Sequence, residues 1–226
     1  MKNLKKIKGD ASFREFFRKR NKKISSILII SKKEKFKNLL VYDSINKILR
    51  KNKILAPKLY KENYKKNSIE IEDFGNDTIF KILKKKKNNK FLYFKKIIQI
   101  LYQIQSIKLR SIKNFKKNFF CVPKYDKEIL VKEANLFCDW YVNKNLLKIK
   151  RNLFIKKFKK ITKRLAFSLK QKNNIFVHRD FHVSNLMLVK NQIGVIDSQD
   201  ALIGNRAYDL VSLIDDVRFK TSRTLK

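Results

Sequence analysis

Cysteine is scarce in this sequence, with two residues in 226. Cys121 and Cys138 lack the paired spacing of a metal site, and two thiols make no disulfide framework. They read as buried or idle thiols of a reducing cytoplasm. Long hydrophobic runs are missing as well. The greasiest stretch, "ILII" at 27–30, is far too short to cross a bilayer. The start, "MKNLKKIKGD", is charged but has no apolar core and no cleavage site, so no secretory leader is expected. These absences favour a cytoplasmic protein with no membrane partner. There are no internal repeats, which sets aside solenoids and propellers. Glycine is rare too, and the front end has only Gly9 where a G-x-G-x-x-G phosphate loop would need three. Acids number 19 against 57 cations.

What is abundant is positive charge, +38 in formal net terms. A dense basic surface suggests nucleic acid, because binding releases counterions from phosphates. The make-up of the charge argues otherwise. Of the cations 46 are Lys and 11 are Arg, whereas Arg is the side chain suited to reading phosphates and base edges. Lys, Ile and Asn all have codons rich in A and T, so genomic drift accounts for the bias without a partner. Weak, salt-dependent adhesion to polyanions is expected, but no specific nucleic acid.

Along the chain, 9–31 reads as a β-hairpin, "GDASFREFFRKR" followed by "ISSILIIS". Apolar residues at helical spacing mark a helix over 38–52. "APKLYKEN" and "NSIEIEDFG" read as two further strands. The character changes at "EDFGN", 72–76, and from Thr78 to about residue 171 the pattern is helical. The lysine run 84–89 reads as a solvated helix end. In "GNRAYDLVSLIDDVR", Leu210, Leu213 and Ile214 suit a helix buried on one side. The expectation is an α+β, two-lobed, protein-kinase-like fold: a small β-rich lobe over 1–75 and a larger, mostly helical lobe over 76–226. The sequence is silent on oligomeric state.

Chemistry concentrates in "VHRDFHVSNLMLVKNQIGVIDSQDA", 177–201, which holds both histidines. "NIFV", "LMLV" and "IGVI" are candidate strands. Asp180 and Asn185 therefore share one loop, and Asp197 closes the next strand. His178-Arg179-Asp180 followed by Asn185 matches H-R-D-x-x-x-x-N, with an acid one hairpin later. In that pattern Asp180 accepts the proton of an attacking hydroxyl. Asn185 and Asp197 supply hard oxygens for Mg²⁺ across the phosphates of ATP. A lone acid is usually a turn or cap, and Asp200 is read so. Asp209 is read as bracing the catalytic loop through backbone groups. His178 and His182 brace the loop too, since no third nitrogen or sulfur ligand accompanies them. The acid after "IGVI" continues as "DSQDA" and not D-F-G, and no A-P-E follows, which excludes a protein kinase.

With those residues assembled, the sequence resembles the bacterial anomeric sugar kinases that phosphorylate N-acetylmuramate and N-acetylglucosamine, within the aminoglycoside-phosphotransferase-like superfamily. The likeness lies in "GDASFREFFR" at 9–18, "IEDFGNDTIFKIL" at 71–83, "ANLFCDWYV" at 134–142 and "HRDFHVSNLM…GVIDSQDALIGNRAYDLVSLIDDVR" at 178–218. The last of these is highly specific. The resemblance implies an ATP- and Mg²⁺-dependent phosphotransferase acting on the anomeric hydroxyl of an amino sugar in cell-wall recycling. Ser12 and Phe13 would belong to the turn over the phosphates, for which an ordinary hairpin turn is the competing reading. Glu72 and Asp73 would line the adenine. Trp140 would offer a flat face to the sugar, or else sit in the core.

Several features depart from the family. Ser198 replaces an aromatic, which should loosen packing behind the site. Asn205 replaces a proline. No phosphate-pairing strand lysine is identifiable, although Lys32 and Lys33 follow "ILIIS". Relatives continue beyond "DDVR" with further helices, so the second lobe is expected to be shortened. Two rivals stand beside the leading reading: a kinase of another small alcohol, such as choline, homoserine or an aminoglycoside, and an inactive, basic binding protein on the same scaffold. An aminoglycoside pocket needs acids, which this chain supplies poorly.

Overall fold

The computed structural model describes residues 4–7, 14–20, 25–31, 38–85, 89–169 and 172–224. It begins with an antiparallel five-stranded sheet in the order β1-β2-β3-β5-β4. The strands are β1 (Leu4–Ile7), β2 (Arg14–Arg20), β3 (Ser25–Ser31), β4 (Leu59–Asn63) and β5 (Ser68–Glu72). Strand β5, "SIEIE", alternates apolar and polar residues and so buries Ile69 and Ile71 on one face. In register, Ile69 pairs with Ile29 and Ile71 with Ile27. Helix α1 (Asn38–Lys51) lays Leu39 and Tyr42 on that face. Its Ile45, Ile48 and Leu49 join the core of the second lobe instead. One amphipathic helix thus belongs to both hydrophobic cores.

The connector after β5 is held from both sides. Gly75 takes φ +85°, open to glycine at little cost. Thr78 caps α2 (Ile79–Lys84) by accepting from the Lys81 N–H. The Leu188 N–H donates to the Asp77 carbonyl at 2.8 Å, and the Val195 N–H donates to the Leu55 carbonyl at 2.8 Å. Gly194 allows close approach, since a Cβ there would meet the Phe74 ring at 2.7 Å.

Helix α3 (Lys90–Gln105), capped by Asn89, buries Phe94, Ile97, Leu101 and Ile104. The expectation of continuous helix from Thr78 to 171 is then interrupted. Residues 111–121 form a hairpin, β6 (Ser111–Lys113) with β7 (Phe119–Cys121). Asn114 folds its turn by accepting from the Lys116 and Asn118 N–H groups through Oδ1. Helices α4 (Lys127–Phe137), α5 (Asn143–Asn145) and α6 (Lys148–Ser168) follow, with a π-helical turn over Cys138–Val142. Strand β8 (Ile175–Val177) pairs with β11 (Leu202–Gly204), and β9 (Leu186–Val189) with β10 (Gln192–Val195). Lys190 and Asn191 turn the second pair with positive φ at both positions, the twist a two-residue hairpin needs. Helix α7 (Ala207–Ile214) closes the described core with Leu213. Leu210, expected inside, is exposed at the edge of that helix's buried face.

Among the described residues no helix is long and apolar enough to cross a membrane.

Candidate active site

Strand β8 ends at Val177, and the chain then turns sharply. Arg179 adopts φ 75°, in the left-handed region that non-glycine residues avoid. The turn is held by Asp209, fully buried in the first turn of α7. One Asp209 oxygen accepts the His178 N–H at 2.8 Å and the other the Arg179 N–H at 2.9 Å. The Arg179 guanidinium pairs with Glu133 of α4, whose carboxylate also accepts from the Tyr125 hydroxyl. Tyr208 packs edge-on against Tyr125 at 5.6 Å between centroids. Arg179 and Asp209 thus both take part in the bonds that hold this turn.

His178 is fully buried, and its Nε2 lies 3.1 Å from the Ile196 carbonyl, so the neutral ring with Nε2–H joins the two acid-bearing loops. Burial pushes its pKa down to about 4, against the pull of Asp197. A second bond joins the loops directly: the Ile196 N–H donates to the Asn185 carbonyl at 3.0 Å. The Asn185 amide nitrogen is occupied by the Asp180 carbonyl at 3.1 Å and by His182 Nε2 at 3.3 Å. That leaves the amide oxygen for the cleft. Asp197 follows Ile196 with φ 61°, a second left-handed residue, and its side chain is 40% exposed.

Asn185 and Asp197 both line an interlobe cleft of about 400 Å³. Its roof comprises Arg14, Phe16, Arg18 and Ile27, its hinge side Glu72 to Asn76, and its floor Met187 and Ile196. Asp180 stands outside that lining. Burial raises its pKa, and the negative charges of Asp197 and Asp200 raise it further. That mutual repulsion puts Asp180 within electrostatic reach of Asp197. The donor set fits Mg²⁺: a carboxylate and an amide oxygen, hard ligands at an open cleft, with room for phosphate and water to complete the shell. A cation already faces Asp197, the Arg14 guanidinium at 3.1 Å. Among the described residues there is no cluster of three or more His, Cys, Asp or Glu able to hold a metal alone.

The other expected residues fall as follows. Glu72 and Asp73 line the cleft. Asp73 is committed to the lobe itself: it pairs with Arg18 at 2.6 Å and accepts from the Ser25 hydroxyl and the Gly75 N–H. These donors hold its carboxyl below the usual range against the opposing effect of burial. Ser12 and Phe13 lie outside the described residues, as do Lys32 and Lys33. Trp140 is not core. It is 68% exposed, with the Lys144 ammonium 5.4 Å from its ring, and it is not part of the cleft lining. Ser198 does not loosen the packing. It is fully buried and donates to Asn46 of α1 at 2.7 Å, so a hydrogen bond replaces the aromatic contact. Asn205 stands in for the proline by accepting the Ala207 N–H at the start of α7.

Sequence reading missed Arg14, Arg18, Glu133 and Tyr125. Arg14 and Arg18 lie within "GDASFREFFR", and Glu133 is one of the few acids of the helical middle, but their partners are distant in sequence.

A β-sheet lobe with one shared helix, a tethered connector and an H-R-D-x-x-x-x-N loop beside a strand-closing Asp are the marks of a protein-kinase-like fold. Residues 3–225 match the model of the phosphotransferase enzyme family, and the chain belongs to that family. Among curated proteins, it is similar to the N-acetylmuramate/N-acetylglucosamine kinases of Neisseria meningitidis serogroup B and Pseudomonas aeruginosa. The first is 29% identical over 92% of this chain and 60% of that protein. The second is 26% identical over 92% and 58%. The chain thus spans about 60% of the length of these relatives. Among solved structures it resembles the gentamicin-APH(2")-IIa complex (TM-score 0.70, 16% identity, all of this chain and 75% of that one). It also resembles the ADP-bound aminoglycoside phosphotransferase APH(2'')-Ib (TM-score 0.64, 16% identity, 98% and 74%). At such identity these two structures bear on the fold alone.

Proposed function

We propose that this chain is the nucleotide-binding and catalytic part of an ATP- and Mg²⁺-dependent kinase acting on the anomeric hydroxyl of an N-acetylated amino sugar. The observation that carries the reading is the pair of bonds from Ile196, to His178 and to Asn185, which fixes the two acid-bearing loops side by side at the cleft. The names of the similar curated kinases support the choice of sugar. The lobe over 1–75 holds the nucleotide, with Glu72 and Asp73 beside the adenine and Ser12 and Phe13 at the phosphates. The lobe over 76–226 carries the chemistry.

Asp180 accepts the proton of the sugar hydroxyl as its oxygen attacks the γ-phosphorus. The bond from that phosphorus to the β–γ bridging oxygen breaks, releasing ADP and a sugar 1-phosphate. A half-buried carboxylate with a raised pKa suits this role, because it holds a proton more readily than a solvated one. Asn185 and Asp197 hold Mg²⁺, which when bound offsets the charge of the phosphates. His178, Arg179 and Asp209 keep the loop in position, and Trp140 offers its exposed face to the sugar.

The test is direct. The protein is incubated with ATP, Mg²⁺ and a panel of N-acetylglucosamine, N-acetylmuramate, choline, homoserine and aminoglycosides, and products are read by mass spectrometry. A 1-phosphate of an amino sugar is expected. Phosphorylation confined to another alcohol would move the substrate class, and none at all would count against the enzymatic reading.

A further inference from the structure

Asp197 sits between two anchors. On its N-terminal side Ile196 is bonded to the H-R-D loop. Its carbonyl lies 3.1 Å from His178 Nε2, and its N–H donates to the Asn185 carbonyl at 3.0 Å. On the C-terminal side Ser198 is fully buried, and its hydroxyl donates to Asn46 Oδ1 of α1 at 2.7 Å. Asp197 spans the two at φ 61°, an angle that a residue with a Cβ keeps only where its surroundings hold it.

Asn46 is itself fixed. It is 4% exposed, and its side chain is also bonded to the hydroxyl of Tyr42, one turn earlier on α1. The amide oxygen serves Ser198, so the amide nitrogen serves Tyr42. Tyr42 lines the cleft together with Asp197. Burial, and then the negative charge of Asp197, push the Tyr42 pKa up to about 12, so its hydroxyl keeps the proton. Helix α1 is the element that both hydrophobic cores share, through Leu39 and Tyr42 on one side and Ile45, Ile48 and Leu49 on the other. The bonds therefore run in one series, from Tyr42 to Asn46 to Ser198 and the backbone of Asp197. Breaking one leaves a buried donor or acceptor unsatisfied, so the series resists rotation about Asp197. An apolar pair at the same two positions would fill the space but set no angle.

We propose that Asn46 is a positioning residue for the divalent ion: from α1 it holds Ser198, and so fixes the direction in which Asp197 presents its carboxylate at the cleft. The inference rests on the kinase reading above, with Asp197 as a ligand of the ion. Asn46 is not part of the cleft lining and acts through Ser198. Partners of a metal ligand set affinity without touching the ion, because they decide where the ligand oxygens point. The same bond ties ion binding to the seating of α1. Displacing the helix removes the acceptor of Ser198 and frees the backbone of Asp197.

The experiment follows free Mn²⁺ by electron paramagnetic resonance as the whole chain is added, with and without ADP. Calorimetry measures ADP in the absence of any divalent ion, at high salt so that the general positive charge is screened. Ser198→Ala and Asn46→Leu should each weaken Mn²⁺ uptake with ADP about 10- to 100-fold, the span for losing a partner of a metal ligand, and leave ion-free ADP within about twofold. The double variant should lose no more than the weaker-binding single one, because both substitutions remove the same bond. Retained ion-free ADP binding shows that a variant is folded; should Asn46→Leu unfold, Ser198→Ala carries the test with the same expectation. Equal Mn²⁺ uptake by Ser198→Ala and the parent overturns the role of Asn46 and leaves Asp197 as a ligand. An equal loss of ADP affinity with and without the ion overturns it too, since a general loosening of the fold does the same. Losses that multiply in the double variant also overturn it. A parent protein that takes up Mn²⁺ no better with ADP than without overturns the ligand reading of Asp197, and the role of Asn46 with it.

Discussion

Two regions of the second lobe are held together in opposite ways. Around the H-R-D loop, from Val177 to Asp209, many polar groups are buried and hydrogen-bonded. Asp209 holds two backbone N–H groups, His178 and Asn185 each bond to Ile196, and Ser198 bonds to α1. Along α4–α6 many large apolar side chains are exposed. Helix α6 has nine cations and no acid, and its Leu153, Ile161, Leu165 and Phe167 are exposed. The π-helical turn before it exposes Trp140 and Tyr141. The contrast separates what sets the site from what surrounds it. A buried carboxylate on two N–H groups fixes geometry because each broken bond leaves an unsatisfied group inside. An exposed leucine fixes nothing.

The largest effect should follow from the chemistry itself. Asp180→Asn should lower turnover by about 10²- to 10⁴-fold, the span for loss of a general base, with nucleotide affinity unchanged in calorimetry. Full activity in that variant would remove Asp180 from its role. Next comes the brace. Asp209→Ala strands two buried N–H groups and should cost about 2–5 kcal/mol in urea unfolding. A cost no greater than that of a surface substitution would break the distinction between the two regions.

His178 gives the same region a pH signature. Its pKa is about 4 in the folded protein against 6.5 for the free side chain. Between those values the unfolded chain binds a proton that the folded one does not. Its contribution is therefore complete above pH 6.5 and is lost as pH falls toward 4, by roughly 3 kcal/mol in all. His178→Gln should flatten the urea midpoint across that window, and an unaltered slope would argue against a buried neutral ring. The smallest effect sharpens the comparison most. Ile45→Val removes one methylene from the core and should cost about 1 kcal/mol, whereas Leu165→Ala removes most of a side chain from α6 and should cost less than about 0.5 kcal/mol. The reverse order in thermal melts would show that the α6 surface is covered in solution.

What the sequence disclosed depended on how local the chemistry was. The loop-and-strand layout of 177–201 was legible because Asp180, Asn185 and Asp197 fall within one segment whose flanking strands have apolar runs. The hairpin at 111–121 was not, since its turn is made by the Asn114 side chain inside a lysine-rich stretch without glycine or proline. Strand β1, "LKKI", is a mostly exposed edge and carries little apolar signal. Leu210 fits helical spacing, but the short helix α7 leaves it exposed at the edge of its buried face. Arg14 was hidden by sheer number. With 57 cations in the chain, only the distance to Asp197 distinguishes the one facing the candidate metal ligand.

The convergence of Asn185 and Asp197 on a divalent ion is tested most directly by following free Mn²⁺ by electron paramagnetic resonance as protein is added with ADP. The parent protein should take up Mn²⁺ far more tightly with the nucleotide than without it, and Asp197→Ala should lose that difference. Equal uptake by the parent and Asp197→Ala would contradict the site.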